Sequence, residues 1–386
     1  MRYIHPFPAR MAPEIVLKKL KTLKEGQKVL DPMVGSGMVL ATASRLNIKS
    51  YGIDIDPLSV LISKVSSTKL DENKVKEALS ILIERSYEMK EVYLPWIDED
   101  SETSNFIEYW FDKKQLKQLR LLAFNLIQVP IIEDKTILDV LKISISRLII
   151  TKEPKASLAR DTAHSRPHKT IIKNDFDILK ALPKSLESVL QALGSSGIKC
   201  NSSVSIGDSR KLTRFNDHYF DMIITSPPYL NALDYMRGHK LSLVWLGYKI
   251  SELRNIRAVS IGSERKVDIN EKNNNNDLLK MINGLHLNSQ MIKKYFLDLC
   301  DMLTESYRVL KIGGMASFVV GNSSQKDNLI YNNKLLKQAA KFAGFYFFSE
   351  VKRKIPNSRR YMPINGNSSL SKRIKTEYII TFKKLI

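Results

Sequence analysis

The residue types best suited to chemistry form the run Thr225-Ser226-Pro227-Pro228-Tyr229, which follows the apolar segment 222–224. Two prolines fix the backbone just beyond the end of a predicted strand. The ring of Tyr229 can stack on a planar base that carries an amino group, and the hydroxyl of Ser226 and a carbonyl of the proline pair can accept the two amino protons. These bonds would bias the amino nitrogen towards tetrahedral geometry and free its lone pair for attack. The alternative is a proline-rich turn that only ends a strand.

A second run, Asp31-Pro32-Met33-Val34-Gly35-Ser36-Gly37, joins a short apolar strand to a predicted helix. Glycine has no Cβ, so the backbone of such a turn can approach a ligand closely. Asp31 could pair with a cationic amino group, and Asp54, at the end of the next strand, could accept hydrogen bonds from ribose hydroxyls. The run lacks the Gly-Lys-Ser/Thr ending of a phosphate-binding loop and the third glycine of a dinucleotide fingerprint. A ligand without phosphates, held by carboxylates, fits this pattern better, and a simple tight turn is the alternative.

Together the two runs resemble the motifs of the amino-methylating DNA methyltransferases. The cofactor loop of that family reads Asp-Pro-Phe-x-Gly-Ser-Gly or near it, and its catalytic motif has Ser, Asp or Asn before Pro-Pro-Tyr/Phe/Trp. Residues 3–13 resemble the segment that closes over the methionine end of the cofactor, and residues 205–208 resemble the strand whose final Asp holds the adenine amino group. Residues 235–240 and 245–247 resemble the helix after the catalytic loop, and 321–323 and 377–378 resemble the family's late sheet motifs. The resemblance covers about 1–68 and 198–386.

The resemblance implies an α/β fold of the class I S-adenosylmethionine-dependent methyltransferase type, a Rossmann-like, seven-stranded mixed sheet whose last strand is antiparallel. It also implies S-adenosylmethionine as the cofactor. The catalytic residues that it implies are Ser226, Pro227, Pro228 and Tyr229. The cofactor contacts that it implies are Tyr3, His5, Asp31, Pro32, Gly35, Ser36, Gly37, Asp54, Ile55, Asp208, Ser209 and Thr225.

The implied reaction is methyl transfer to an exocyclic amino group of a base that is flipped out of duplex DNA. The amino nitrogen attacks the sulfonium methyl group directly, so no cysteine nucleophile is needed, and neither Cys200 nor Cys300 lies in a Pro-Cys motif. Serine before Pro-Pro favours cytosine N4 in this family. Adenine N6, guanine N2 of tRNA or rRNA, and a catalytically inactive DNA-binding or cofactor-sensing protein are the alternatives. A role in restriction-modification or phage defence would add a cognate restriction endonuclease as a partner.

Apolar runs predict the strands that position these residues, over 27–31, 50–54, 203–207, 221–225, 315–320, 345–348 and 378–382. Helical patterns are predicted over 38–46, 75–89, 113–127, 137–148, 176–193 and 292–310. The chain therefore divides into a first part of the core (1–68), a mostly helical insertion that is a candidate DNA-recognition region (69–197), and a second part of the core (198–386). Residues 250–290 are predicted to form a mobile polar connection, and 352–375 a basic loop.

The charge balance indicates the kind of partner. The 386 residues contain 61 Lys and Arg against 40 Asp and Glu, a formal net charge of +21. Such an excess favours a polyanionic partner, here double-stranded DNA, and salt-sensitive association. A lysine-rich proteome is the alternative explanation, and each basic run could be a solvated face. The residues expected to contact DNA are Arg160, His164, Arg166, Lys169, Arg237, Arg265, Arg353, Arg359 and Arg360.

Other kinds of site are not indicated. His164 and His168 lack acidic or cysteine partners nearby in the sequence, so no metal site is predicted. No apolar run approaches the roughly 20 residues that span a bilayer, and the N-terminus has no apolar signal region. The two isolated cysteines fit a reducing compartment. We therefore expect a protein of the prokaryotic cytosol, associated with the nucleoid and not with a membrane; no oligomeric state is predicted.

Overall fold

The computed structural model of the protein describes residues 3–8, 10–194, 197–230, 234–263, 290–325, 328–355 and 376–386. Its strands in chain order are β1 (Lys28–Asp31), β2 (Lys49–Asp54), β3 (Ala159–Arg160), β4 (His168–Lys169), β5 (Ser203–Ile206), β6 (Phe220–Thr225), β7 (Leu310–Gly321), β8 (Ser323–Gln325), β9 (Asn328–Ile330), β10 (Tyr346–Lys354) and β11 (Thr376–Lys383).

Seven of these strands form one mixed sheet in the order β10-β11-β7-β6-β1-β2-β5. The pairs β1–β2, β1–β6, β2–β5 and β6–β7 are parallel. Strand β11 is antiparallel to both of its neighbours, β7 and β10. This arrangement confirms the predicted class I methyltransferase fold, including the antiparallel last strand.

The helices in chain order are α1 (Pro13–Leu20), α2 (Met38–Arg45), α3 (Pro57–Ser66), α4 (Glu72–Glu88), α5 (Pro95–Asp98), α6 (Ser101–Trp110), α7 (Lys113–Ala123), α8 (Lys135–Ile149), α9 (Ile178–Gly194), α10 (Met236–Leu243), α11 (Ile250–Val259), α12 (Gln290–Val309) and α13 (Asn332–Phe342). A π-helix, Phe124–Gln128, extends α7, so all four helices predicted in the insertion are confirmed. No helix within the described ranges is long and apolar enough to cross a membrane.

Helices cover both faces of the sheet, which explains why its central strands are apolar on both sides. Successive side chains of a strand point to opposite faces. Val29 of β1 and Met222 of β6 therefore belong to the core that includes α1 and α2. Their neighbours Leu30 and Ile223 belong to the core on the other face, with α12 and α13.

A third core joins the helical insertion to elements from outside it. This core contains Leu58 of α3 and Leu141 of α8, and also Leu241 of α10. The indole N–H of Trp96, in α5, donates to the carbonyl of Val244 at 2.8 Å, just beyond α10. The insertion therefore packs against the helix that follows β2 and against the helix that follows the Ser226–Tyr229 loop.

The structure corrects two predictions about connections. The predicted connection over 250–290 is wrong in its first part, because 250–259 form α11 and bury Ile250 and Leu253. Residues 264–289 lie outside the described residues. The predicted basic loop over 352–375 is wrong for 352–354, which continue β10 and pair with 376–378 of β11, while 356–375 lie outside the described residues.

Candidate active site

A cavity of about 750 Å³ lies at the carboxyl ends of four parallel strands. The residues that line it follow β1, β2, β5 and β6, and include Asp31, Asp54, Asp208 and Ser226. The chain order of the strands reverses between β1 and β6, and open α/β sheets bind ligands at such a point. The volume is typical of a pocket for a small molecule. The structure thus brings two runs that are remote in the sequence, 31–37 and 225–229, to one space.

The first carboxyl group belongs to Asp31, which ends β1 and is buried. Its Oδ1 accepts hydrogen bonds from the Thr225 hydroxyl at 2.7 Å and from the Met33 N–H at 3.1 Å. Burial raises the pKa of Asp31 from 3.8 to about 7, although the two hydrogen bonds oppose this rise. A bound cation would favour the ionised form. Pro32 and Ser36 also line the cavity, whereas Thr225 does not and reaches it only through Asp31.

The second carboxyl group belongs to Asp54, at the end of β2. The Gly35 N–H donates to its Oδ2 at 2.9 Å, and the Asp56 N–H donates to its Oδ1 at 3.0 Å. Burial, and then the negative charge of Asp56, raise the pKa of Asp54 to about 7. Each carboxylate oxygen has two lone pairs, so both oxygens can accept a further hydrogen bond. Ile55 lines the cavity beside them.

Two glycines of the β1–α2 turn have left-handed backbones for different reasons. Gly35 has φ +47° and lines the cavity, and a Cβ there would lie 3.3 Å from the ring of Phe7. Gly37 has φ +75° and does not line the cavity. A Cβ on Gly37 would lie 2.8 Å from the Cα of Ser63 and 2.6 Å from the Oγ of Ser66. Close packing of α2 on α3, and not the approach of a ligand, therefore requires glycine at position 37.

The loop after β6 has its polar atoms fixed by neighbouring elements. The Ser226 hydroxyl donates to the carbonyl of Val319 at 2.9 Å, and the Tyr229 hydroxyl forms a hydrogen bond with the Ser226 side chain. Burial raises the pKa of Tyr229, so the phenol remains protonated. The carbonyl of Pro228 accepts a hydrogen bond from the Tyr295 hydroxyl at 3.0 Å. Ser226, Pro228 and Tyr229 line the cavity, and Pro227 does not.

The turn after β5 contributes Asp208 and Ser209 to the cavity. The Asp208 carboxylate is already engaged, since the Arg210 guanidinium donates to its Oδ2 at 2.7 Å and to its Oδ1 at 3.0 Å. Arg210 also donates to Asp298 at 2.6 Å and to the Val259 carbonyl at 2.7 Å. A ligand amino group at this position would therefore share the carboxylate of Asp208 with Arg210.

The N-terminal segment reaches the cavity through a residue that sequence reasoning missed. Phe7 lines the cavity, whereas Tyr3 and His5 do not. His5 is buried, and its Nε2 lies 2.8 Å from the Ser146 hydroxyl of α8. Burial, followed by the charge of a neighbouring histidine, lowers the pKa of His5. The ring of Tyr3 packs under the guanidinium of Arg10 at 3.7 Å. The only sequence signal for Phe7 is its place in the same segment.

Three of the residues predicted to contact DNA, His164, Arg166 and Arg237, line the cavity. Arg254 and Arg257 of α11 join them. The four arginines are exposed and therefore lie where the cavity opens to solvent. The spacing of Arg254 and Arg257 puts both on one face of a helix, which is a signal that the sequence contains once α11 is recognised.

The other predicted DNA contacts do not line the cavity. Arg160 and Lys169 are exposed on the β3–β4 hairpin. The Arg353 guanidinium bonds to Glu377 of β11 and to Glu14 of α1, at 2.6 Å for the Glu14 contact. Arg353 is therefore occupied by ion pairs within the protein, whose partners are remote in the sequence. Residues outside the described part of the chain are Arg265, Arg359 and Arg360.

No metal centre is seen within the described ranges, where no group of three or more His, Cys, Asp or Glu side chains is placed to hold an ion. His164 does have an acidic partner, contrary to the prediction, because its Nδ1 contacts the carboxylate of Asp161. That pair alone provides too few ligands for a tetrahedral site.

The strand order defines a class I methyltransferase fold, and the cavity lies where that fold binds ligands. Type II methyltransferase M.MvaI from Kocuria varians is 24% identical to the chain, over 99% of this chain and 90% of that protein. Type II methyltransferase M.BsoBI from Geobacillus stearothermophilus is 25% identical over 91% of this chain and 80% of that protein. Type II methyltransferase M.MjaII from Methanocaldococcus jannaschii is 24% identical, with coverages of 92% and 76%. The chain is thus similar to Type II methyltransferases along nearly its whole length.

No protein-family model matches the chain. Among solved structures, an S-adenosylmethionine-dependent methyltransferase from Methanosarcina mazei is 9% identical with a TM-score of 0.35, covering 98% of this chain and 100% of that chain. A geranyl diphosphate methyltransferase is 8% identical with a TM-score of 0.38, covering 96% and 77%. Because these scores are low, the fold assignment rests on the strand order of the protein itself.

Proposed function

We propose that the protein transfers a methyl group from S-adenosylmethionine to an exocyclic amino group of a base in duplex DNA, with cytosine N4 as the target. One observation carries the proposal. The Ser226 hydroxyl donates its single proton to the Val319 carbonyl, so at this cavity-lining residue the oxygen can act only as a hydrogen-bond acceptor towards a ligand. An acceptor is what a target amino group requires. The similarity to Type II methyltransferases supports the same class of reaction.

The two buried carboxyl groups fit S-adenosylmethionine, a cationic ligand that carries hydroxyls. Asp31 and Asp54 both line the cavity with pKa values of about 7, so a ligand that brings positive charge would ionise them. We assign the ligand's amino group to Asp31 and its ribose hydroxyls to Asp54. When bound, S-adenosylmethionine supplies an electrophilic methyl group. Phe7 and Gly35, which lie against each other, would close over it.

The Ser226–Tyr229 loop, which we call the catalytic loop, would hold the target base. Tyr229 offers a ring for stacking and keeps its own hydroxyl against Ser226. Pro228 lines the cavity, and its carbonyl accepts one hydrogen bond from Tyr295 and keeps a second lone pair. We therefore assign a carbonyl of this proline pair as the second acceptor for the amino group. Two fixed acceptors would orient the nitrogen lone pair towards the methyl group, and positioning of this kind supplies much of the rate in transfer reactions. The preference for cytosine N4 rests on serine at position 226.

The positive charge at the opening of the cavity suits duplex DNA. Arg166, Arg237, Arg254 and Arg257 come from the insertion and from two further helices, and all four are exposed. Arg237 and Arg257 share Asp234, at 3.4 and 2.5 Å. Exposed ion pairs are weak, so DNA phosphates can replace such partners at little cost. We also propose a restriction-modification role, with a cognate endonuclease as the partner.

The test offers tritiated S-adenosylmethionine with duplex DNA, tRNA and rRNA to the purified protein. The product is then digested to nucleosides and separated. We expect label in DNA alone, as N4-methylcytosine. Label recovered as N6-methyladenine would still identify the protein as a DNA methyltransferase but would contradict cytosine N4 as the target. Label in RNA alone would refute the proposal, and cofactor binding without transfer to any nucleic acid would favour a non-catalytic protein.

Two serine substitutions test whether the activity depends on the Ser226–Tyr229 loop. Ser226→Ala should lower kcat by on the order of 10- to 100-fold with unchanged cofactor affinity, because only the amino-group acceptor is lost. Ser188→Ala is the matched control, since its hydroxyl also donates to a backbone carbonyl, that of Lys184, at 2.9 Å on the exposed side of α9. Equal rates in both variants would show that the chemistry lies elsewhere.

A further inference from the structure

A buried histidine links two parts of the cavity wall, the residues that follow β2 and the residues that follow β6. His239 lies in the middle of α10, the helix that follows the Ser226–Tyr229 loop, and is 1% exposed. Its Nδ1 lies 2.5 Å from Oδ2 of Asp56, which is also buried and lines the cavity beside Asp54. Burial disfavours a charge on Asp56, but the hydrogen bond and charge of His239 hold the pKa of Asp56 below its ordinary value. Asp56 is therefore ionised, and the Nδ1–H donates to it.

Asp56 in turn fixes Asp54. Its backbone N–H donates to Oδ1 of Asp54 at 3.0 Å. Its own Oδ1 accepts from the Leu58 N–H at 2.9 Å, and this bond caps α3. The carboxylate that receives the His239 proton thus belongs to the residue whose backbone orients Asp54. Two hydrogen bonds, joined through the covalent bonds of Asp56, therefore connect α10 to the carboxylate that we assign to the cofactor ribose.

The same helix is also connected to the N-terminal segment. Phe7 stacks on Tyr235, just before α10, with ring centroids 5.1 Å apart and an interplanar angle of 21°. Phe7 and the His239 ring lie 5.6 Å apart. Phe7, Tyr235 and Asp56 all line the cavity. A shift of α10 on DNA binding would therefore displace Phe7, Tyr235 and Asp56, which line the cavity where we place the cofactor.

We propose that His239 is a positioning residue that orients Asp54 through Asp56 and so couples binding of the cofactor to binding of DNA. The inference rests on the proposed function. Coupling between two sites is a free energy that must be reciprocal, and an element that contacts both sites can carry it. His239 stands at such a contact, because its helix continues from the catalytic loop and its imidazole bonds to the end of β2.

The experiment measures DNA affinity with and without saturating sinefungin, an analogue that transfers no methyl group. The DNA is the duplex methylated in the test above. In the wild-type protein we expect sinefungin to tighten DNA binding by on the order of 10-fold. In His239→Leu this factor should fall to about 1, and the Kd for sinefungin should rise by on the order of 10- to 100-fold, because the buried Asp56 carboxylate loses the hydrogen bond to its Oδ2. Thermal unfolding is recorded for each variant.

His239→Asn is the rescue variant, because the asparagine amide can place an N–H near the position of Nδ1. It should keep the coupling factor within about threefold of wild type. His218→Asn is the matched control, since His218 precedes β6 at the opposite end of the strand and has φ +54°, which asparagine tolerates. Asp56→Ser, whose hydroxyl retains a cap acceptor for α3 but is too short to reach His239, tests the same connection if His239→Leu fails to fold.

The outcomes separate the two proposals. A wild-type protein that binds neither sinefungin nor DNA would end the proposed function and this inference with it. A wild-type protein that methylates DNA but shows no coupling would overturn the role of His239 alone. So would a folded His239→Leu or Asp56→Ser variant that keeps the full coupling factor. Loss of coupling in these variants and recovery in His239→Asn would support it.

Discussion

Replacing Asp31 with asparagine separates two effects of one buried carboxyl group. Both hydrogen bonds to this side chain, from the Thr225 hydroxyl and the Met33 N–H, reach the same oxygen, Oδ1. An asparagine carbonyl oxygen at that position accepts both, so the substitution removes the charge and little else. We expect Asp31→Asn to fold as the wild-type protein does, to be more stable above neutral pH, and to bind S-adenosylmethionine more weakly.

The size of the stability effect follows from the pKa of Asp31, which rises from 3.8 to about 7 on folding. The folded protein holds this proton more tightly than the unfolded chain does. The resulting stability is therefore fully present below about pH 4 and is lost as the pH rises to about 7. One pKa unit corresponds to about 1.4 kcal/mol, so the full loss approaches about 4 kcal/mol. Asparagine does not titrate. The advantage of the variant in free energy of unfolding should therefore widen by about 2 to 3 kcal/mol between about pH 5 and about pH 8.

Urea unfolding at the two pH values measures that advantage, and calorimetric titration at the higher pH measures cofactor affinity. Loss of one charged hydrogen bond should weaken binding by on the order of 10- to 100-fold. Asp221→Asn is the control, because Asp221 lies near the start of β6, at the end of the strand remote from the cavity. Lys311 donates to Asp221 at 2.8 Å, and the pKa of Asp221 is lowered although partial burial opposes this change. That variant should lose stability near neutral pH and keep its cofactor affinity. A stability difference for Asp31→Asn that does not change with pH would refute the reasoning.

Three further substitutions test other contacts. Gly37→Ala should lower the free energy of unfolding by about 2 kcal/mol more than Gly26→Ala in urea titrations, because both glycines have positive φ but only Gly37 would place a Cβ against α3. Arg237→Gln should reduce the slope of log DNA affinity against log salt by about 1, whereas Arg353→Gln should lower the melting temperature and leave the slope unchanged. Tyr295→Phe should lower kcat by about threefold to tenfold with unchanged affinities, because it removes the hydrogen bond to the second proline carbonyl of the catalytic loop.

The position of the site could be predicted from local pattern. Parallel strands end at the same edge of a sheet, so Asp31, Asp54 and Ser226, each at the end of an apolar run, had to lie at one edge. The strand order makes them neighbours. The family resemblance implied the type of sheet, and the structure gives the order β2-β1-β6 at this edge. The long periodic helices of the insertion could also be predicted, because their apolar faces repeat at the helical period.

Features that depend on remote partners could not be predicted. Gly37 is required by Ser63 and Ser66, which lie on the next helix, and the motif alone suggested a ligand instead. His5 is held by Ser146, which lies 141 residues further along the chain. The sequence therefore could not show that His5 does not line the cavity. Helix α11 was missed because its surface is charged and only two of its residues, Ile250 and Leu253, are buried.

The packing of the insertion bears on how the site works, whether or not the insertion reads DNA. Helix α3 follows the strand that presents Asp54, and α10 follows the loop that contains Ser226. Both helices belong to the core of the insertion, through Leu58 and Leu241, and His239 of α10 bonds to Asp56, the residue that caps α3. Protein interiors are close-packed and transmit small displacements. Because the insertion supports both helices at once, a change of volume in its core should alter the spacing between the two halves of the cavity and therefore the rate of transfer, even at positions that contact no ligand.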